Sequence, residues 1–443
     1  HSLPIFAIIN EKICSVTNEL IFLRMFEIFN TKFKQYSASI FANQQGWKML
    51  IGLSILARMI LFLTDGHNSD FDFFENWADR IVQFGFQNIY SIQVDRFECD
   101  YPPLYLYVVG AIGHLFNFFH WPIHTHFFDT FLKSFNLIVE LVFLYQFYKI
   151  SKQKIFLLLM LISPVTLLNA YGWGQIDIIY AILIFCSLYA LIDKKIYWSA
   201  FYLGLSLSLK SQTLLFLPLF GLLLIVAESK WLYKFKALLL FSIVFLLPNL
   251  PFILWAPNPM DSINPHLTAA GRYNFISVNA FNIYWALWAD FQLKLKLMFP
   301  ANQILVLGLI SRKWLAYGLF TIIYTWLLSL LAKHKSPEQI FRIFAFFCFS
   351  YFMFLPEMHE RYLFPFFIFS AYLCSFNFKE FKYLLIVSIL HSLNLLWGWG
   401  EQKYIKTQIP FELSRVVAFI TFTVWCAYAI PFYRYFYPIK QKP

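Results

Sequence analysis

Residues 97–107 read FECDYPPLYLY and run directly into the apolar stretch VVGAIGHLFNFF at 108–119. This stretch decides the topology of the chain, because it resembles a membrane span but opens with a carboxylate, a tyrosine and two prolines. If it crosses the membrane, every later loop changes sides. If it lies along the surface, Pro102 and Pro103 suit the first turn of a helix, where no backbone N–H is needed.

The composition is that of a polytopic membrane protein. Of 443 residues, 60% are hydrophobic and 13% charged, and the mean hydropathy is +0.60. A soluble domain could not bury so much apolar surface, and apolar runs of roughly 15 to 20 residues between short polar turns indicate helices rather than a barrel. The net charge of +11 reflects basic loops rather than a nucleic-acid partner. The six cysteines show no metal-ligand spacing.

Twelve apolar segments are predicted to span the membrane. They lie at about 47–64, 127–148, 155–170, 177–192, 197–210, 213–227, 237–255, 313–332, 341–355, 362–376, 382–397 and 412–432. If 108–119 stays outside the membrane, the short basic turns and the N-terminus share one side, which then carries 21 of the 35 Lys and Arg residues. The positive-inside rule therefore predicts a surface helix at 108–119.

The chain is predicted to comprise a cytoplasmic amphipathic segment, residues 1–46, and a single all-α transmembrane domain, residues 47–443. Two external segments of this domain are long, 65–126 and 256–312. Eight of the 24 acidic residues lie between positions 65 and 100. The external face is therefore where we expect the chemistry to occur.

The segment GHNSDFDFFENWADR, residues 66–80, follows the first predicted span. The spacing of Asp70, Phe74 and Trp77 predicts a helix with an aromatic face at the membrane interface and Asp70 near its start. Asp70 could cap this helix, as aspartates commonly do, or it could be a catalytic carboxylate. A solvated helix face better explains the other acids: Asp72, Glu75 and Asp79.

Two further polar groups fall on the same predicted face. Asp100 and Tyr101 precede the two prolines, and turn formation would also explain the aspartate. Gln175 and Asp177 lie at the outer end of a predicted span in NAYGWGQIDII, where Asp177 could simply cap the next helix. Trp173 in this segment is an expected interfacial anchor.

Two groups add positive charge to this face. Lys210 and Gln212 lie where one predicted span ends and the next begins. A lysine so close to hydrocarbon either snorkels or pairs with an anion, of which a lipid phosphate is the obvious one. His359, Glu360 and Arg361 lie in LPEMHERYLFP and could bind phosphate and move a proton, or form a mutually satisfied ion cluster.

The first two predicted spans contain charged residues near their middle. Arg58 is in the first, and Lys133 precedes Glu140 by seven residues in the second, so this pair shares a helix face. Ionisable groups within the membrane are functional candidates by default, although they also hold helices together. Arg58 is therefore a candidate anion-binding residue as well as a structural one.

Five features, in this order, resemble the GT-C glycosyltransferases. They are an acidic residue in the first external loop, DYPPL, WGQID, LKSQ before a Leu-Pro run, and HERYLFP. The most similar branch uses polyprenyl-phosphate sugars. It includes glucosyltransferases of the N-glycan pathway and bacterial proteins related to a mannosyltransferase of GPI-anchor synthesis. The resemblance runs through residues 47–376.

The resemblance implies a GT-C fold and an integral membrane enzyme that transfers a hexose, mannose or glucose, from a polyprenyl-phosphate donor to a lipid, glycan or protein acceptor. In the eukaryotic glucosyltransferases an Asp seven residues before a Trp in the first lumenal loop is the catalytic base, and Asp70 and Trp77 match this spacing. GRYNFISVNAFNIYW resembles a long lumenal loop of the family, which makes Arg272 a candidate donor contact. The DHGHFQYN segment of those enzymes is replaced here by YGWGQIDII, which leaves the sugar open.

The expected chemistry is an inverting transfer with Asp70 as base. Cations would hold the lipid phosphate that leaves, which reduces the need for a metal, and the candidates are Lys210, His359, Arg361, then Arg58 and Arg272. No cofactor is expected, although Asp70 with Asp100 or Asp177 could hold a divalent metal. We expect a bacterial inner membrane with the site facing the periplasm, the lumenal face of the endoplasmic reticulum being the alternative.

A transporter or lipid flippase of a glycan pathway is the main competing function. It would favour paired halves, broken helices and charges near the middle of the bilayer. Here the acids cluster in one surface loop instead, and the two halves do not repeat. A purely structural subunit would not need converging Asp, His, Arg and Lys residues on one face.

Overall fold

The computed structural model describes residues 31–32, 35, 43–91, 98–151, 153–227, 230–268, 275–288, 301, 304–306, 310–402 and 410–438. Most of the predicted amphipathic segment at 1–46 lies outside these residues. Arg272, the candidate donor contact, also lies outside them.

The first half of the described chain is mostly helical. In chain order they are α1 Gln44–Phe62, α2 Asn68–Phe84, α3 Pro103–Phe118, α4 His126–Ser151, α5 Lys154–Leu161, α6 Pro164–Trp173, α7 Asp177–Ile192, α8 Ile196–Leu209 and α9 Leu217–Ala227. Short 3₁₀ segments at Phe86–Asn88 and Ser211–Phe216 follow α2 and precede α9.

The second half is also helical, with a few short strands. Its helices are α10 Trp231–Leu246, α11 Leu250–Trp255, α12 Asn264–Leu267, α13 Ile283–Trp288, α14 Arg312–Lys333, α15 Pro337–Phe354, α16 Phe364–Phe376, α17 Phe381–Gln402 and α18 Phe411–Phe436. Further 3₁₀ segments are Leu247–Asn249 and Phe378–Glu380. The strands are β1 Ser277–Val278, β2 Ile304–Val306, β3 Ile310–Ser311 and β4 Met358–His359.

Among the described residues, five helices are long and apolar enough to cross a membrane. A sixth span results if the bent pair α5 and α6 is counted as one. The five are Gln44–Phe62, Trp231–Trp255, Arg312–Lys333, Phe378–Trp399 and Phe411–Phe436. The chain is thus an all-α integral membrane protein. Each of the twelve apolar segments found in the sequence overlaps a described helix, but a count of twelve spans stays a prediction.

The stretch that follows Asp100 forms a helix, as the sequence predicts. Pro102 is the N-cap of α3 and Pro103 is its first residue, where the missing N–H costs nothing. A helix of 16 residues is about 24 Å long, shorter than a hydrocarbon core of about 30 Å. It packs on α2, since a Cβ at Gly113 would lie 3.1 Å from that of Ala78. Its location outside the membrane stays a prediction.

Buried charges join the first helices to one another. Arg58 on α1 forms a two-pronged pair with Glu140 on α4, with both N···O distances at 2.7 Å. Tyr171 on α6 donates a third hydrogen bond to the same carboxylate, and Arg58 also donates to the carbonyl of Leu161 at 3.1 Å. Lys133 donates instead to the carbonyl of Leu61 at 3.3 Å. Lys133 and Glu140 therefore satisfy neighbouring helices rather than each other.

The predicted solvated face of α2 is only partly correct. Asp72 is exposed, but Glu75 retains only 9% of its accessible surface. The two ring nitrogens of His124 lie 3.2 Å from Glu75 and 3.5 Å from Asp79. The prediction is wrong for Glu75 because His124, far away in sequence, folds over it, and the burial raises the pKa of its carboxyl.

Candidate functional site

A cavity of about 270 Å³ lies where five segments meet. These segments are the residues before α3, the 3₁₀ segment after α8, α12, α14 and the turn between α15 and α16. Its lining includes Asp100, Tyr101, Lys210, Ser211, Gln212, Pro265, His266, Glu357 and Arg361. Five predicted site residues from three separate segments of the sequence thus line one cavity. They are Asp100, Tyr101, Lys210, Gln212 and Arg361.

Lys210 supplies the first cation of this cavity. It follows the last residue of α8 in an extended conformation, and its ammonium pairs with the carboxylate of Asp177, the first residue of α7. Both side chains are almost fully buried. The other oxygen of Asp177 accepts a hydrogen bond from Asn169 at 3.1 Å. Asp177 is therefore the counter-ion that positions Lys210, and it neither caps α7 nor lines the cavity.

Arg361 supplies the second cation. One terminal nitrogen of its guanidinium donates to Glu360 at 3.0 Å and lies 4.0 Å from Oδ2 of Asp70. Its Nε is buried without a partner among the described residues. A guanidinium has five N–H donors, so Arg361 keeps donors for a ligand in the cavity.

Four groups approach the same oxygen of Asp70. Trp173 Nε1 donates to Oδ2 at 2.6 Å and Gln175 Nε2 at 2.5 Å, while His67 Nδ1 lies at 3.3 Å and Arg361 at 4.0 Å. No described residue partners Oδ1, and the side chain is still 18% exposed. Asp70 thus offers one oxygen for a further hydrogen-bond donor.

The Asp70 carboxyl is held in its ionised form. Burial alone would raise its pKa, but the charge of Arg361, together with His67 and Trp173, outweighs burial and holds the pKa well below its usual range. A carboxyl with a depressed pKa stays ionised at neutral and mildly acidic pH. At neutral and mildly acidic pH, the Asp70 carboxylate can therefore accept a hydrogen bond.

Local structure explains how Asp70 reaches these partners. The N-cap of α2 is His67, whose ring stacks on Trp173 with the centroids 4.2 Å apart and whose backbone N–H donates to the Trp173 carbonyl at 3.0 Å. Asp70 lies in the first turn of α2, but no side chain caps this helix. The capping alternative is therefore wrong, because the carboxylate accepts hydrogen bonds from Trp173, the last residue of α6, and from Gln175 just after it.

Gln175 connects Asp70 to the cavity. Its amide nitrogen donates to Asp70, and its amide oxygen accepts from the hydroxyl of Tyr101 at 3.0 Å. Tyr101 lines the cavity, and the hydroxyl of Tyr90 fixes its backbone carbonyl at 2.8 Å. Tyr101, through Gln175, and Arg361 therefore link Asp70 to the wall of the cavity, although Asp70 does not line the cavity itself.

The turn that carries Arg361 is held from several sides. Strand β4 pairs in parallel with β1 in the second long loop, and Glu357 forms an ion pair with Lys313 of α14 at 2.7 Å. Burial, followed by the charge of Arg361, lowers the pKa of His359 well below its ordinary value. His359 is therefore neutral at pH 7, and it does not line the cavity.

Some predicted site residues lie elsewhere. Glu360 is buried next to Arg361, and burial raises the pKa of its carboxyl. Arg58 is 1% exposed and enclosed by Glu140 and its neighbours, so the structure does not bring it to the cavity. Sequence reasoning missed His67, which lies in the same GHNSD segment as Asp70, and read Trp173 only as an anchor.

The predicted alternative of a divalent metal can be compared with these contacts. Asp177 is engaged by Lys210, and Asp70 lies next to Arg361. Within the part of the chain that the structure describes, no three His, Cys, Asp or Glu side chains come together as metal ligands. These contacts speak against a metal held by Asp70 with Asp177, and the pairing of Asp70 with Asp100 stays a prediction.

No family model matches this sequence, and no curated protein is significantly similar to it.

Gly174→Ala should disturb the site from the turn between α6 and α7. Gly174 has φ +93°, and a Cβ there would lie 2.3 Å from the ring of Phe71. We expect the strain to destabilise the protein by about 1–3 kcal/mol and to lower its melting temperature, measured by thermal unfolding in detergent. Gly221→Ala in α9 is the matched control, since nothing lies within 4 Å of the added Cβ. Equal melting temperatures for the two variants would contradict the prediction.

Proposed function

We propose that the chain is an integral membrane glycosyltransferase of the GT-C type. It transfers a hexose, mannose or glucose, from a polyprenyl-phosphate donor to a lipid, glycan or protein acceptor on the external side of the membrane. One observation carries the proposal. An ionised carboxylate with an uncommitted oxygen, Asp70, lies 4.0 Å from a guanidinium, Arg361, that lines a cavity also lined by Lys210.

The two cations suit the phosphate of the donor. Asp177 and Glu360 hold Lys210 and Arg361 in place, and each cation keeps N–H donors that no described residue uses. Donors fixed in advance around a developing anion stabilise it without reorganisation during the reaction. As the bond between the anomeric carbon and the phosphate oxygen breaks, both bonding electrons leave with the phosphate, and these two residues bind it.

Asp70 suits the acceptor. The acceptor hydroxyl would hydrogen-bond to Oδ1, attack the anomeric carbon from the face opposite the phosphate and invert its configuration. A carboxylate with a depressed pKa is a weak base, but the hydroxyl becomes strongly acidic as its oxygen bonds to carbon, so Asp70 can take the proton late in the step. Trp173 and Gln175 hold the other oxygen throughout.

The membrane arrangement supports an external site. With α3 outside the membrane, the basic turns lie on one side of the membrane, while Asp70, Asp100 and the turn containing Arg361 lie on the other. Twelve spans in a bacterial inner membrane, with this face in the periplasm, agree with the positive-inside rule. The endoplasmic reticulum, with the site in the lumen, is the alternative.

A transfer assay tests the proposed function. The purified protein is reconstituted into liposomes with radiolabelled polyprenyl-phosphate mannose or polyprenyl-phosphate glucose and solubilised membranes as the source of acceptor. We expect label from one of the two donors to move into a new product. A lipid flippase would move the intact labelled lipid between leaflets without loss of sugar, and this result would refute the proposal, as would binding of neither donor.

Replacing the buried pair Lys210→Met with Asp177→Asn should weaken donor binding. The double change avoids an unpaired buried carboxylate, and it removes a charge-assisted contact to phosphate, so KM for the donor should rise about tenfold to 100-fold. The control is Lys195→Met with Asp193→Asn, an exposed pair 2.6 Å apart in the turn between α7 and α8, for which KM should not change. An unchanged KM in the first variant would remove Lys210 from the phosphate site.

A further inference from the structure

A histidine that sequence analysis did not identify lies in the wall of the cavity. His266 belongs to α12 and is 8% exposed. Its ring packs edge-on against Phe245, with the centroids 5.2 Å apart, and its Nδ1 lies 3.2 Å from the hydroxyl of Ser211. The ring is therefore held in one orientation by contacts on two sides.

The hydrogen bonds of Ser211 decide which ring nitrogen carries the proton. Its hydroxyl lies 3.1 Å from the carbonyl oxygen of Pro265 and 3.2 Å from Nδ1 of His266. A carbonyl can only accept and a hydroxyl has a single proton, so the hydroxyl donates to Pro265. Nδ1 of His266 must then be the donor to the hydroxyl, which leaves Nε2 as an acceptor.

That acceptor has no partner among the described residues. Nε2 of His266 is buried and unpaired, as is the amide oxygen of Gln212 in the same wall. Burial lowers the pKa of His266 to about 4, so the ring is neutral at pH 7 and Nε2 keeps its lone pair. Buried acceptors without partners are uncommon and cost free energy. A ligand that brings a hydrogen-bond donor would remove this cost.

The cavity therefore has two chemically different parts. Lys210 and Arg361 offer charged donors, whereas His266 and Gln212 offer neutral acceptors. A phosphate has no donor to give to a neutral acceptor when it is fully ionised, but every free hydroxyl of a sugar has one. The charged donors of the cavity thus match the phosphate of a sugar phosphate, and its neutral acceptors match the sugar hydroxyls.

We propose that His266 and Gln212 bind the hexose of the donor, with a sugar hydroxyl donating to Nε2 of His266. This inference rests on the proposed function and assigns the sugar to one wall of its cavity. It makes His266 a residue that distinguishes a glycosylated lipid phosphate from the bare lipid phosphate.

A pair of substitutions tests this assignment. In His266→Gln the amide oxygen can occupy the place of Nε2, whereas in His266→Asn the amide reaches only the place of Nδ1 and the acceptor is lost. Affinities are measured for polyprenyl-phosphate mannose, polyprenyl-phosphate glucose and polyprenyl phosphate. We expect the wild-type protein to prefer a glycosylated lipid, His266→Asn to lose about three- to tenfold of that preference, and His266→Gln to keep most of it.

Affinity for polyprenyl phosphate shows that each variant is folded, since this probe lacks the hexose that His266 is proposed to bind. If His266→Asn keeps the full preference for the sugar, the inference is wrong and the proposed function stands. If both variants lose the preference equally, the acceptor at Nε2 is not what binds the sugar. If the wild-type protein binds none of the three lipids, the proposed function itself fails.

Discussion

Asp70→Asn is expected to lower the rate of hexose transfer by roughly 10²- to 10⁴-fold, the usual contribution of a positioned general base, while the affinity for the donor changes little. Asparagine has the same shape, so its amide oxygen can still accept from Trp173 and Gln175, but it cannot take a proton from the acceptor. Rates and donor affinity are measured on the same reconstituted protein with radiolabelled polyprenyl-phosphate sugars.

Asp72→Asn is the matched control for this change. Asp72 lies two residues away on α2 and is exposed, so the same loss of charge there should leave the rate unchanged. The assignment of Asp70 as base fails if Asp70→Asn transfers sugar at the wild-type rate. Equal losses in both variants would point to the charge of α2 as a whole rather than to one carboxylate.

Arg58→Met should have the largest effect on stability. The change leaves the carboxylate of Glu140 buried without its counter-charge, with Tyr171 as a remaining partner, and breaking a buried pair in this way costs about 3–5 kcal/mol. The double variant Arg58→Met with Glu140→Gln removes the unpaired charge and should recover much of that loss. Thermal unfolding in detergent gives both values.

The same variants separate the two roles that the sequence leaves open for Arg58. If its role is structural, KM for the donor in the double variant equals the wild-type value, because Arg58 is 1% exposed and does not line the cavity. A stable Arg58→Met protein with a raised KM would show instead that Arg58 binds the donor phosphate.

Much of the helical structure could be predicted from the sequence. The helix after Asp100 begins at Pro103, and α2 has Asp70 in its first turn, because helix starts and apolar runs are local properties. The number of spans stays a prediction, since several of the apolar helices are shorter than a bilayer is thick.

The candidate site was predicted only as a set of residue types on one face. Asp70, Tyr101, Gln175 and Arg361 come from separate segments, and the sequence could not show that they form one connected network. Nor could it show that His359 is neutral, since its pKa depends on burial and on the charge of Arg361.

The sequence by itself determined that the chain is an all-α membrane protein, where most of its helices lie, and which polar and charged residues are candidates for the site. These properties depend on composition and on neighbours along the chain. Only the tertiary structure decided which charges are paired. Lys210 is paired with Asp177, 33 residues away, and Arg58 with Glu140, 82 residues away. It also left Oδ1 of Asp70 and Nε2 of His266 without partners among the described residues. Whether a side chain is paired or keeps a free hydrogen-bonding atom depends on the groups that folding places next to it, and those groups are distant in the sequence.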